Sequence, residues 1–268
     1  MAADKRNQVN HNELFNVKER NARRSVSFFF NTCMNNLRIC TWNSQGNPYS
    51  PGSEKKLNVL QELYNNNDVL LIQECGDIKK KFNLPFANFL VGKQMGTDYN
   101  RCNLCLISKS AGDGQVLEAK SSTGRSAIHL EIEGVHIYTL HATSGNGLYD
   151  VMTLFRSAQE PFIIGGDMNC TRFDILNTHG VSSSETNYVF SGTRSRPDKL
   201  GELITSDRLT HPGSGHELDF FIVSLSLRTH STRIHWSMGG DHYPVCTVIT
   251  EYGDFLTQRR RRSVEELL

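Results

Sequence analysis

The sequence predicts a layered α/β sandwich built from mixed strands and few helices. Short apolar segments bounded by turn residues recur from Leu37 to Thr250. Only two stretches carry apolar residues at the i, i+3, i+4, i+7 spacing of an amphipathic helix. Strands and helices do not alternate strictly, as a chain of βαβ units would require. No Pro/Ser-rich linker divides the body, so a single domain over 37–250 is expected, flanked by a polar N-terminal segment (1–36) and a C-terminal tail (251–268).

The elements follow in order. Leu37 to Trp42 is a strand running into the turn Ser44-Gln45-Gly46-Asn47-Pro48. Glu54 to Tyr64 places Leu57, Leu60, Leu63 and Tyr64 on one helical face. Val69 to Gln73 is a continuous apolar run, the signature of a strand buried on both faces. Leu104 to Ser108, Ala127 to Ile132 and Val135 to His141 are further strands, the last two joined by the short Glu133-Gly134 step of a hairpin. Leu148, Val151, Met152 and Phe155 mark a second helix. Phe162 to Gly165 is a buried strand ending in Gly165-Gly166, and Leu218 to Val223 and Val245 to Ile249 complete the pattern.

Composition narrows the classes. Of 268 residues 38% are hydrophobic and 21% charged, which excludes a disordered tail protein. No apolar run reaches the ~18 residues of a membrane-spanning helix. The net charge of +1 excludes binding to nucleic acid by bulk charge alone. The charge is nonetheless uneven. Residues 1–37 hold six Lys/Arg against three Asp/Glu, and Arg259 to Arg262 form a basic run near the other end, so the body between is net acidic. The run at 259–262 reads either as a solvated tail or as a nuclear or nucleic-acid signal. The N-terminal stretch lacks a secretory pattern, because charges continue to Arg24 and the apolar Val26 to Phe30 is short. Seven cysteines cannot all pair within one chain. Cys102 and Cys105 form a C-x-x-C on a strand, where positions three apart face opposite sides, so they are not read as a zinc or redox site.

Polar residues collect where the strands end. Asn43 and Glu74 close the first two, His141 closes the hairpin, Asp167 and Asn169 follow Phe162 to Gly166, Asp219 opens a strand, and Asp241-His242 precedes one. Strand ends are where a rigid sheet holds side chains and a loop exposes them. Glu74 with Asn43 suits a hard cation such as Mg²⁺, which prefers few carboxylates, waters and substrate oxygens. His141 and His242 suit proton transfer near neutral pH. A carboxylate on the second nitrogen would fix the tautomer, and Asp219 or Asp241 is available for this. In Gly165-Gly166-Asp167-Met168-Asn169 the glycines permit close backbone approach. The Asp and Asn there either converge on one point or form an Asx-turn.

Six of these pieces occur in a fixed order: Thr41-Trp42-Asn43, Ile72-Gln73-Glu74, Leu140-His141-Ala142, Gly166-Asp167-Met168-Asn169, Glu217-Leu218-Asp219-Phe220 and Gly240-Asp241-His242-Tyr243-Pro244-Val245. In this the chain resembles the endonuclease/exonuclease/phosphatase superfamily, of which deoxyribonuclease I is the familiar member. Within it the chain is most similar to the catalytic subunits of cytolethal distending toxins, through Trp42-Asn43-Ser44-Gln45-Gly46, Asn100-Arg101-Cys102-Asn103-Leu104, His141-Ala142-Thr143 with Gly145-Asn146-Gly147, and Arg125. The resemblance implies a four-layer α/β/β/α sandwich of two mixed sheets. It implies a Mg²⁺-dependent endonuclease on DNA, with Mn²⁺ or Ca²⁺ as alternative ions. Carried over, Glu74, Asn43 and Asp241 would serve the metal. His242, oriented by Asp219, would be the general base, and His141 the acid or the stabiliser of the leaving oxygen. Asp167 and Asn169 would position phosphate and nucleophile, and Arg101, Arg125 and Asn103 would contact substrate. Partners implied are DNA and toxin delivery subunits; secretion and a nuclear target follow from the resemblance alone. A phosphatase on phosphoinositides and an inactive binding module are the alternative readings of the same scaffold. Gly240 stands where the family usually carries Ser, and Cys170 where an Arg often follows the Asn.

Overall fold

The computed structural model describes residues 36–76, 78, 88–92, 103–117, 126–180, 189–193, 196–236 and 239–251. The basic ends, Arg101, Arg125 and Cys102 lie outside the described residues. The chain order is β1 (Leu37–Asn43), α1 (Glu54–Asn66), β2 (Val69–Gln73), β3 (Asn88–Gly92), β4 (Leu104–Ser108), β5 (Asp113–Leu117), β6 (Ala127–Ile132) and β7 (Val135–His141). There follow α2 (Gly147–Ser157), β8 (Phe162–Asp167), α3 (Arg172–His179), β9 (Val189–Thr193), β10 (Arg196–Ile204), β11 (Asp219–Ser224), β12 (Leu227–Ile234) and β13 (Val245–Glu251).

The strands form two mixed sheets, one ordered β12-β13-β1-β2-β4-β3 and the other β5-β6-β7-β8-β11-β10-β9. Each contains one parallel pair, β1 with β2 and β7 with β8, and is otherwise antiparallel. The central strands β2 and β4 are buried at every position because both faces are covered, and they are apolar but for Gln73 and Ser108 at their ends. On one outer face α1 sets Val59, Leu60 and Leu63 against Cys40, Trp42 and Ile72. On the other, α2 sets Val151, Met152 and Phe155 against Leu140, Phe162 and Ile164. Each large side chain so buried contributes about 1.5–3 kcal/mol. The architecture is the four-layer α/β/β/α sandwich that the resemblance implies.

The sheets meet on their inner faces at Leu71, Gly165 and Phe221. A Cβ at Gly165 would lie 2.7 Å from Leu71 Cδ1 and from the Phe221 ring. A polar bridge crosses the same layer: Gln73 Nε2 donates to Thr139 Oγ1 of the opposite sheet at 3.0 Å and to Thr41 Oγ1 at 3.1 Å. Buried amides are retained only when so satisfied.

Several elements differ from expectation. β8 runs through Asp167, so that residue ends the strand instead of following it. β5 is mostly exposed and polar, and it is a strand through its pairing with β6. β12 is an edge strand whose charged and hydroxyl side chains discourage further pairing. α3 has one buried residue, Ile175, and is held by a capping box in which Thr171 accepts from the Asp174 backbone and Asp174 accepts from that of Thr171. Cys40, Cys75, Cys105, Cys170 and Cys246 are free thiols, and all but Cys246 are buried as small apolar groups.

Candidate active site

The topology gathers the strand-end residues at one end of the sandwich. Asn43 and the residue before Glu74 are register partners at the C-terminal ends of β1 and β2. His141 and Asp167 are partners at the C-terminal ends of β7 and β8. β11 runs antiparallel to β8, so its first residue, Asp219, pairs with Asp167. β13 runs antiparallel to β1, so Asp241-His242, just before it, arrives at the same end. Two parallel pairs, each flanked by an antiparallel neighbour, therefore place seven polar residues from distant parts of the chain together.

Close approach of β7 and β8 depends on glycine. A Cβ on Gly166 would lie 1.8 Å from the Leu140 carbonyl oxygen. Two site residues also sit in the left-handed region: Glu74 at φ 52° and Asn169 at φ 44°. Asn tolerates this conformation, whereas for Glu it costs of order 1 kcal/mol or more, and such strain persists where the surroundings impose it.

Asp167 is the hub. Its Oδ2 lies 3.5 Å from His141 Nε2 and 3.8 Å from His242 Nε2, and it accepts a hydrogen bond from Asn43 Nδ2 at 2.9 Å. Its Oδ1 accepts the Asn169 backbone N–H at 3.0 Å, while Asn169 Nδ2 donates to the Ala142 carbonyl at 2.8 Å. The Asx-turn and the convergent arrangement are thus both present. Glu74 Oε1 is 3.9 Å from His141 Nε2. Asp219 Oδ2 bonds His242 Nδ1 at 2.7 Å, and Asp241 Oδ1 is 3.9 Å from His242 Nε2. Of the two carboxylates left open by the sequence, Asp219 is the one that fixes the imidazole.

The group is buried: Asp219 is 0% exposed, Asp167 2%, and both histidines 5%. Burial raises the Asp167 carboxyl above the usual range, Asp219 reinforces this, and His141, His242 and Asn43 oppose it. For His242 burial works downward, but the charge and hydrogen bond of Asp219, then Asp167 and Asp241, outweigh it and carry the imidazole up to about 9. His242 Nε2 therefore holds a proton at neutral pH while those carboxylates are uncompensated. Positive charge placed among them would lower that value and free the nitrogen to accept a proton.

The donor set suits a hard divalent cation. Among the described residues two groups have ligand atoms within 4.8 Å of one another, His211–Asp241–His242 and Asp167–Asp219–His242. Asp241 Oδ1 is buried and accepts no hydrogen bond among the described residues, so it has a lone pair to offer. Carboxylate and amide oxygens from Glu74, Asp167, Asp241 and Asn43 match the preference of Mg²⁺ for oxygen.

Three contributors escape a reading of the sequence. Gln45 Nε2 donates to Asp241 Oδ2 at 2.5 Å, and Gln45 packs where a Cβ on Gly240 would come within 3.0 Å. The Gly at 240 thus makes room for the Gln that holds Asp241. His211 lies over His242, ring centroids 4.4 Å apart, with Nε2 3.8 Å from Asp241 Oδ2. Gln73 ties the two sheets below the site. The turn-rich His-Pro-Gly-Ser-Gly-His stretch just before Glu217-Leu218-Asp219 is the available signal for His211. Asn103 donates its amide to the Gly76 carbonyl at 3.0 Å and so braces the turn that carries Glu74. Arg101 and Arg125 are outside the described residues.

A sequence profile described as the endonuclease/exonuclease/phosphatase family matches residues 40–242. No curated protein matches the chain. Among solved structures the chain is similar to CdtB, the biologically active subunit of cytolethal distending toxin, at 20% identity and a TM-score of 0.55, covering 79% of this chain and 96% of that one. It is similar to the cytolethal distending toxin of Haemophilus ducreyi at 19% identity and 0.52, covering 81% and 98%. It is also similar to the AP endonuclease LMAP of Leishmania major at 14% identity and 0.50, covering 81% and 88%. At these identities the likeness is one of fold.

Proposed function

The chain belongs to the endonuclease/exonuclease/phosphatase family, and from that premise we propose that it is a Mg²⁺-dependent endonuclease that hydrolyses phosphodiester bonds of DNA. The observation that carries this reading is the position of two imidazoles around one carboxylate. His141 Nε2 and His242 Nε2 both lie within 4 Å of Asp167 Oδ2 and come from different sheets. In-line displacement at phosphorus needs one group at the attacking water and another at the departing oxygen, and this arrangement supplies both.

In this reading His242 takes the proton of the attacking water at Nε2, with Asp219 holding Nδ1–H and stabilising the imidazolium. His141 Nε2 donates to the departing oxygen. Asn169, fixed by the Ala142 carbonyl and the Asp167 turn, orients the phosphate. Glu74, Asp241, Asp167 and Asn43 would hold the metal, which when bound supplies positive charge to the phosphate oxygens. Residues 37–250 form the catalytic unit in this proposal. The same reading includes delivery subunits and secretion, which the sequence resemblance implies.

Supercoiled plasmid incubated with Mg²⁺ should be nicked, and chelation should stop it. Phosphate release from phosphoinositide without nicking would replace this reading with that of a phosphatase. Metal-independent DNA binding without turnover would replace it with that of a binding module.

A further inference from the structure

Large apolar side chains in water are ordinarily scattered. Here four are more than half exposed among the described residues, and three of them, Phe173, Leu209 and Trp236, line one recess of about 630 Å³. Trp236 is 67% exposed, and its ring is held in place: the Arg208 guanidinium lies over it at 5.2 Å and Tyr243 meets it edge-on at 6.2 Å. Arg208 has no carboxylate within salt-bridge distance among the described residues. The recess is thus an indole face with a cation above it, open to solvent.

The recess adjoins the catalytic centre through its lining residues. Tyr243 follows His242, Glu217 lies two residues before Asp219, and Arg172 three after Asn169. Thr210 ties wall to centre: its carbonyl accepts the Tyr243 N–H at 2.8 Å, and its hydroxyl accepts the Asp219 N–H at 3.0 Å. A strand whose phosphate lay at His141 and His242 would carry a nearby nucleotide toward this opening.

From these observations, and resting on the reading of the site as a nuclease, we propose that the recess receives an unpaired nucleobase of the strand being cleaved, stacked on the face of Trp236 that Arg208 leaves open. A phosphate would meet Asp207 and Glu217, whose compensating cation, Arg172, is already engaged by both, while the other arginine of the lining, Arg208, lies over the Trp236 ring. A neutral base meets aromatic faces, and those carboxylates accept from its exocyclic amines. A paired base has both faces covered by its neighbours in the duplex, so the occupant is single-stranded or extruded.

The test uses the full chain. With metal chelated, Trp236 fluorescence is titrated with a single-stranded oligonucleotide and with an abasic oligomer of the same length and charge. The second tryptophan, Trp42, is buried in the core, so quenching reports Trp236. The base-bearing strand should quench and bind about 5- to 150-fold tighter, the span of one stacked base. Equal binding of the two oligomers would overturn the proposal. With Mg²⁺, Trp236→Ala should lower kcat/KM on single-stranded DNA by a similar factor, Trp236→Phe should restore most of it, and hydrolysis of bis(p-nitrophenyl) phosphate should be unchanged in both. Undiminished cleavage by Trp236→Ala would also overturn it. If the wild type cleaves the small diester but no DNA, the nuclease reading fails, and the abasic comparison still decides what the recess binds.

Discussion

Asp167 and Asp219 stand opposite each other on neighbouring antiparallel strands, and their carboxylates reach the two nitrogens of one imidazole, His242. The pairing follows from backbone register alone. The last residue of β8 and the first of β11 are partners, so two acidic residues 52 positions apart become one buried group. Two carboxylates so placed would repel each other in a medium of low dielectric unless cationic charge lies between or beside them. The histidines supply part of that charge.

Asp219→Asn keeps the shape and removes the negative charge that holds His242 in its tautomer. Nicking by the variant should fall by about 10³- to 10⁴-fold, with the far-UV spectrum unchanged. In NMR titration of the metal-free protein, the His242 midpoint should drop from about 9. A variant that nicks at the wild-type rate would exclude Asp219 from this role.

His211→Ala should lower activity about 10- to 100-fold, the range for a group that orients a neighbouring ligand or base. The basis is its contact with the His242 ring and its approach to Asp241. Steady-state nicking, compared with Gln45→Ala, checks this; both variants should raise the Mg²⁺ concentration needed for half-maximal rate.

Stability should respond to glycine replacement in a definite order. Gly166→Ala drives a Cβ into the Leu140 carbonyl and must separate β7 from β8, which costs more than about 3 kcal/mol. Gly165→Ala presses on side-chain atoms that can shift and should cost less. Gly213→Ala meets only His211 at 3.5 Å, an ordinary contact, and should shift stability by less than about 0.5 kcal/mol. Thermal melts of the three variants give the ranking.

A second histidine pair sets a pH dependence away from the site. His129 Nε2 and His136 Nδ1 are 3.0 Å apart on β6 and β7, both buried. Burial, then the neighbouring His136, lowers the His129 pKa below its ordinary value. The unfolded chain therefore takes up a proton more readily than the native one. The stabilisation is full above about pH 6.5, the value of an unperturbed His, and is lost as pH falls through the depressed native value. Denaturant melts between pH 8 and about 5 should show this slope, and His129→Gln should flatten it. A slope unchanged in the variant would contradict the assignment.

Much of this arrangement is legible in the sequence because it rests on period and punctuation. Val-Leu-Leu-Ile-Gln before Glu74 and Phe-Ile-Ile-Gly-Gly before Asp167 announce buried strands, and the polar residues closing them announce the site. What escapes is what depends on partners. β5, Asp-Gly-Gln-Val-Leu, has no apolar alternation and exists because β6 offers hydrogen bonds. β10 contains Pro197 and Asp198, residues that read as a turn. His211 and Gln45 are remote in sequence from Asp241 and His242, and only the fold sets them against those residues. α3 carries a local signal in Thr171 and Asp174, whose spacing is that of a capping box.

The central claim is that His141, His242 and the carboxylates around them cleave DNA with a divalent cation. The most direct test is the rate of supercoiled-plasmid nicking by the wild type, His141→Ala, His242→Ala and Glu74→Gln, with Mg²⁺ and with chelator, all folded by thermal melt. Nicking is expected from the wild type with Mg²⁺ only, and rates at least about 10²-fold lower in each histidine variant. Nicking that survives chelation, or that persists at full rate in either histidine variant, would contradict it.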